Sequence, residues 1–102
     1  MTRKDITKVI RRLIRKWNKM GFSPQAINCG NCDEFAQEIR DACGCGNTIW
    51  GCDNKHLFRT SVDIEGHCFF MYRGYFYDSE CKNGVGHPDL LPYYLRLNKN
   101  KE

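Results

Sequence analysis

No run of apolar residues in this chain approaches the length of a membrane-spanning helix, which excludes a helical span. The opening residues, Met1 to Ile6, lack the apolar stretch and small-residue cleavage site of a secretory signal, so the expected location is cytoplasmic. No segment repeats another and no linker composition marks a boundary, so residues 1–102 read as one domain. That length supports a modest core but no second lobe with an elaborate cleft, and any site must lie near the surface. A composition 41% hydrophobic and 13% aromatic excludes a disordered chain.

Negative charge is scarce at one end. Residues 1–20 hold Arg3, Lys4, Lys8, Arg11, Arg12, Arg15, Lys16 and Lys19 against the single Asp5, a local net of +7 in a chain whose total is +4. Ile6, Val9, Ile10, Leu13, Ile14 and Trp17 recur there at helical spacing, which predicts a basic amphipathic helix over 5–19, ended by Gly21 and Pro24. Its polar face is either plain solvated surface or a site for an acidic protein, a nucleic acid or a membrane surface.

Seven cysteines are present: Cys29, Cys32, Cys43, Cys45, Cys52, Cys68 and Cys81. In a reducing compartment that number points to catalysis, metal binding or burial, not to a disulfide scaffold. Asn31 followed by Glu34 reads as a capping box, and Phe35, Ala36, Ile39, Ala42 and Cys43 form an apolar face, which predicts a second helix over 31–43. Cys32 then stands in its first turn, where the helix dipole and free amides favour a thiolate and the Cys32 amide can serve an oxyanion. Asp33 and Glu34 oppose that effect, and an imidazolium from His67 would outweigh them.

Residues 44–56 read as a loop or weak strand, and an antiparallel sheet is expected over about 57–80. In it, Cys68 to Tyr72 and Tyr75 to Tyr77 form a hairpin turned at Arg73-Gly74. A loop of two residues makes His67 and Asp78 diagonal neighbours on one face, about 7–8 Å apart at the backbone, with Glu80 directly opposite His67. An odd loop without a bulge would send Asp78 to the other face. A cysteine, a histidine and an acid in this order are the parts of a thiol nucleophile, its base and the base's orienter, and they call for no cofactor. Read singly, each has a plainer role: a packed thiol, a structural histidine, an aspartate opening a turn with Ser79. Residues 81–102 are expected to form a tail that winds over the surface before Leu90, Leu91, Tyr93, Tyr94 and Leu95 pack, with residues 98–102 frayed.

Two other functions fit parts of this pattern. Cys29-x-x-Cys32 with Cys43-x-Cys45, or with Cys52 or His56, suggests a zinc module. Its spacing is unusual, however, and the intervening helix would hold Cys32 and Cys43 more than about 15 Å apart. A non-catalytic protein that binds a partner through the basic helix is the other.

Cys29-Gly30-Asn31-Cys32-Asp33-Glu34-Phe35-Ala36 resembles the nucleophile segment of papain-like and transglutaminase-like proteins. Gly66-His67-Cys68-Phe69-Phe70, followed by Gly74-Tyr75-Phe76-Tyr77-Asp78, resembles the hairpin of the transglutaminase-like group. The resemblance spans roughly 28–80 and implies an α+β fold of the papain-like minimal core, helices packed on a small antiparallel sheet. It implies acyl transfer or peptide hydrolysis, with Cys32 as nucleophile, His67 as base and Asp78, in preference to Glu80, as orienter. Gln25 is the residue it offers for the oxyanion hole, with Glu80 as a support. Tyr77-Asp78-Ser79-Glu80 with Gly84-Val85 also resembles small phage-encoded proteins. The implied substrate is a peptide or another amide-bearing molecule.

Overall fold

A computed structural model describes residues 1–59 and 66–99. Helices α1 (Arg3–Lys19), α2 (Pro24–Asn28) and α3 (Cys32–Cys43) precede strands β1 (Asn47–Trp50), β2 (Cys68–Tyr72), β3 (Tyr75–Asp78) and β4 (Cys81–Val85), and α4 (Pro92–Leu97) follows. The strands form one antiparallel sheet in the order β1-β2-β3-β4, and the fold is α+β.

Helix α1 starts two residues earlier than its apolar stripe predicts because Thr2 and Asp5 close a capping box. Ile6, Ile10, Leu13 and Trp17 are buried, against Ile27, Phe35, Ile39, Phe70 and Tyr77. Each such side chain contributes roughly 1.5–3 kcal/mol. Glu38 of α3 accepts from both Trp17 Nε1 and Lys16 Nζ, tying α3 to α1.

Both faces of the sheet are covered. Phe70 and Tyr77 join the core under α1 and α3, while their strand neighbours Phe69 and Phe76 pack with Leu91 and Tyr94 in a second cluster. The alternation of side chains along a strand produces this division.

Several expected boundaries are corrected. Pro24 opens α2 at its first turn, behind the N-cap Ser23, where only a helix stop was read. The sheet begins at Asn47, within the segment read as a loop or weak strand, and runs past 80 into β4, because part of the supposed tail pairs with β3. Residues 55–57 form a 3-10 turn, and residues 60–65 of the sheet expected over about 57–80 lie outside the described ones. The tail also carries α4.

The hairpin has a two-residue loop, with Phe70 paired to Tyr77, Met71 to Phe76 and Tyr72 to Tyr75. Arg73 and Gly74 take φ of 50° and 80°, as a tight hairpin turn of the favoured hand requires.

Candidate active site

Three element ends meet at one place: Cys32 is the first residue of α3, His67 immediately precedes β2, and Asp78 is the last residue of β3. Helix α3 is not opened as the sequence suggests. Asn31 is its N-cap, but no side-chain capping bond forms, so the Asn31/Glu34 capping box is absent, and the Asn31 carbonyl accepts from Phe35 N–H to start the helix. Cys32 packs with Ala36 and Cys68, and its Sγ accepts the Cys68 N–H at 3.4 Å.

His67 is wholly buried and its Nε2 lies 2.9 Å from Asp78 Oδ2. Its Nδ1 is buried and makes no hydrogen bond of ordinary geometry. The Cys32 thiol is close enough to shift the protonation of His67 and to be shifted in turn. Burial pushes the Cys32 thiol up, but the His67 hydrogen bond, the Cys68 N–H and the imidazole charge outweigh both burial and the opposing Asp33, so the thiol lies below its ordinary value. For His67, burial pushes the imidazole down, while hydrogen bonds to Asp78 and Cys32 and their charges raise it on balance. Both shifts favour thiolate beside imidazolium. Neighbouring thiols go the other way: burial pushes Cys68 up to about 12 and Cys81 up to about 11.

Asp78 serves two partners. Its Oδ1 accepts the Glu80 N–H at 2.9 Å, so the aspartate also closes the turn into β4, in keeping with the plainer reading of that residue. Glu80 itself does not orient His67. Its carboxylate pairs with both terminal nitrogens of Arg96 at 2.7 and 2.8 Å and accepts from Asn28 Nδ2 at 2.9 Å. Gln25 is exposed on α2, and among the described residues its side chain makes no hydrogen bond to this group.

Tyr93, Asn28, Arg96 and the Cys68 amide were not anticipated. Tyr93 stacks on His67, its centroid 4.1 Å from the imidazole, and Tyr94 meets the same ring edge-on at 5.7 Å. The Pro92-Tyr93-Tyr94 run was the available signal, since proline is favoured at the first position of a helix. Ser23-Pro24 marks the start of the helix ending at Asn28 in the same way. Nothing local in the sequence announces Arg96.

Two grooves flank this group. One, of about 470 Å³, is lined by Asp33, Glu34, Gln37, Thr48, Trp50 and Cys68. The other, of about 430 Å³, is lined by Arg11, Ile14, Arg15, Pro24, Ser79, Glu80 and Lys82. Of the basic residues on α1, Arg3 lies 3.9 Å over the Tyr75 ring and donates to the Asn83 carbonyl, and Lys16 pairs with Glu38. Lys4, Lys8, Arg11, Arg12, Arg15 and Lys19 are exposed.

The zinc ligands do not converge. Among the described residues no three histidine, cysteine or acidic side chains are placed to hold a metal, and Cys32 and Cys43 stand at opposite ends of α3. All seven cysteines are unpaired. Among the described residues no helix is long and apolar enough to cross a membrane. Compared with known protein families, curated proteins and solved structures, the chain matches none.

Proposed function

We propose that the protein is a cysteine-dependent acyl-transfer enzyme, a thiol hydrolase or transglutaminase-like enzyme on a papain-like minimal core, with Cys32, His67 and Asp78 as its triad. The observation that carries this reading is the bidirectional His67: Nε2 held at 2.9 Å by Asp78, Nδ1 left to a thiol that is lowered in spite of its burial.

The Cys32 thiolate attacks an amide or ester carbonyl, forming a C–S bond and a tetrahedral oxyanion. The Cys32 backbone N–H, in the first turn of α3, supports that oxygen. As the intermediate collapses, the bond to the leaving amine or alcohol breaks and His67 gives it a proton from Nδ1. The resulting thioester is cleaved by water or an amine, from which neutral His67 takes a proton, and the thiolate–imidazolium pair is restored. Asp78 holds the ring in the required tautomer and offsets its charge.

Incubation of the protein with p-nitrophenyl acetate tests this. Acetyl is expected on Cys32 as a hydroxylamine-labile thioester, and His67→Ala should abolish it. Acetylation spread over several residues at the rate of free thiols would overturn the reading.

A partner-binding role for α1 is favoured by one observation, the grouping of Arg11, Arg15 and Lys82 around apolar Ile14 and Pro24. The carboxylate there, Glu80, is already committed to Arg96 and Asn28, and no aromatic ring is available to stack a base. An acidic protein segment suits such a groove better than a nucleic acid. Salt-sensitive binding of poly-glutamate that Arg11→Glu/Arg15→Glu removes is the expected result; tighter binding of a DNA duplex of equal charge would contradict it.

A further inference from the structure

Tyr93 and Arg96 stand three residues apart on α4, so they share one face of that helix. Tyr93 stacks on His67, with the ring centroids 4.1 Å apart. Arg96 reaches the segment behind Asp78. Its two terminal nitrogens donate to the two carboxylate oxygens of Glu80 at 2.7 and 2.8 Å, and the Glu80 N–H donates to Asp78 Oδ1 at 2.9 Å. A two-pronged contact of this kind fixes the direction of the guanidinium as well as its distance.

The third member comes from the thiol's side. Asn28, 4% exposed, ends α2 four residues before Cys32 and donates from Nδ2 to Glu80 Oε1 at 2.9 Å. One carboxylate therefore ties together the turn that carries Asp78, the helix that leads to Cys32 and the helix that covers His67.

Helix α4 depends on such ties. It has six residues, well short of the about 12–15 that let a helix persist alone, and its N-cap, Leu91, makes no side-chain capping bond. Leu91 and Tyr94 seat it by burial with Phe69 and Phe76, and apolar burial is largely non-directional. The Arg96 fork is directional and lies on the Tyr93 face. As an ion pair whose Arg96 side chain is 40% exposed, it adds little to stability. Its effect falls on where Tyr93 sits.

Resting on the acyl-transfer reading, we infer that Arg96 is a positioning residue of the reacting group: through Glu80 it holds α4 so that Tyr93 stays on the imidazole, and with Asn28 it sets the segment of Asp78 against that of Cys32. Arg96 acts through Glu80 and Tyr93, not on the thiol or the substrate carbonyl.

The test is a double-mutant cycle in the full chain, read as the rate of Cys32 acetylation by p-nitrophenyl acetate in wild type, Arg96→Ala, Tyr93→Ala and the double variant. Each single variant should lose about tenfold. The double variant should also lose about tenfold, because both side chains act through one ring, whereas independent losses would multiply to about 100-fold. Arg96→Lys keeps a charged donor for Glu80 and should recover part of the rate; a lysine variant as slow as the alanine one would contradict the role. Glu80→Gln breaks the pair from the other side while keeping an oxygen for Asn28, should match Arg96→Ala, and replaces it in the cycle if that variant does not fold. Unchanged rates in Arg96→Ala and Glu80→Gln, with wild-type acetylation still selective for Cys32, overturn the role of Arg96 alone. Losses that multiply also overturn it, since Arg96 would then act independently of Tyr93. Wild-type acetylation no faster at Cys32 than at exposed Cys52 overturns the acyl-transfer reading and this inference with it.

Discussion

Tyr93 lies flat against His67, their ring planes 9° from parallel and their centroids 4.1 Å apart. The contact joins the start of α4 to the residue before β2 and leaves the imidazole without solvent exposure. A ring held on its face cannot tilt without losing either the Asp78 bond or its aim at Cys32. The segment read as a surface tail therefore supplies the third side of the site.

Tyr93→Ala should accordingly lower the rate of acyl transfer by about tenfold through loss of positioning, with Tyr93→Phe retaining most of it. Tyr93 acts through His67, so the alanine variant should also weaken the pH dependence of Cys32 alkylation. A uniform fall in stability with an unchanged pH profile would mark the ring as packing only.

The opposite shifts of the pair set a pH window. Cys32 lies below its reference value of 9.0 and His67 above its reference value of 6.5. Acyl transfer should rise as pH climbs through the lowered thiol value and fall as pH passes the raised imidazole value. For stability, the His67 contribution is fully present below pH 6.5 and lost as pH rises through its folded value. The Cys32 contribution is present above pH 9.0 and lost as pH falls through its lowered value. Denaturant unfolding of wild type and His67→Ala across this range measures the difference.

Asp78 links the site to the turn, and two substitutions separate those tasks. Asp78→Asn keeps an oxygen for the Glu80 N–H but removes the charge facing His67, so acyl transfer should drop by about 10²–10⁴-fold with a stability loss of roughly 1–3 kcal/mol. Asp78→Ala leaves both donors unpaired in a buried setting and should cost about 3–5 kcal/mol. Equal stability of the two variants, measured by urea unfolding, would mean that the turn bond contributes nothing.

The register that unites His67 and Asp78 depends on Arg73 taking a φ of 50°, which is uncommon for a residue with a side chain. Arg73→Asn should stabilise the protein by about 1 kcal/mol, because asparagine tolerates the left-handed region better. A shift of the urea midpoint at constant slope would register it; destabilisation would indicate that the Arg73 guanidinium, 5.3 Å from the Tyr72 ring centroid, contributes more than the strain.

The helical stripe from Ile6 to Trp17, the apolar face of α3 and the aromatic hairpin were legible because each repeats with the period of its own element. Cys32, His67 and Asp78 were legible for a related reason. All three sit at or next to element ends, and an even-length turn fixes which face the last two share. Strand β4 was not, and β1 only as a loop or weak strand, since Asn47–Trp50 and Cys81–Val85 lack alternation and gain their hydrogen bonds from β2 and β3. Gln25 drew attention by its side-chain chemistry, but α2 leaves it exposed and buries Asn28, three residues later, beside Glu80. Such placements follow from tertiary packing, and local pattern carries no trace of them.

The most direct measurement is competitive alkylation with iodoacetamide at neutral pH, with the rate at each of the seven cysteines read by mass spectrometry in wild type and His67→Ala. Cys32 should react first in the wild-type protein, well ahead of Cys68 and Cys81, whose thiols burial pushes up to about 12 and about 11, and should slow markedly without the imidazole. Reaction of Cys32 no faster than Cys81 or Cys52, or a rate indifferent to His67→Ala, would contradict an activated thiol at the start of α3.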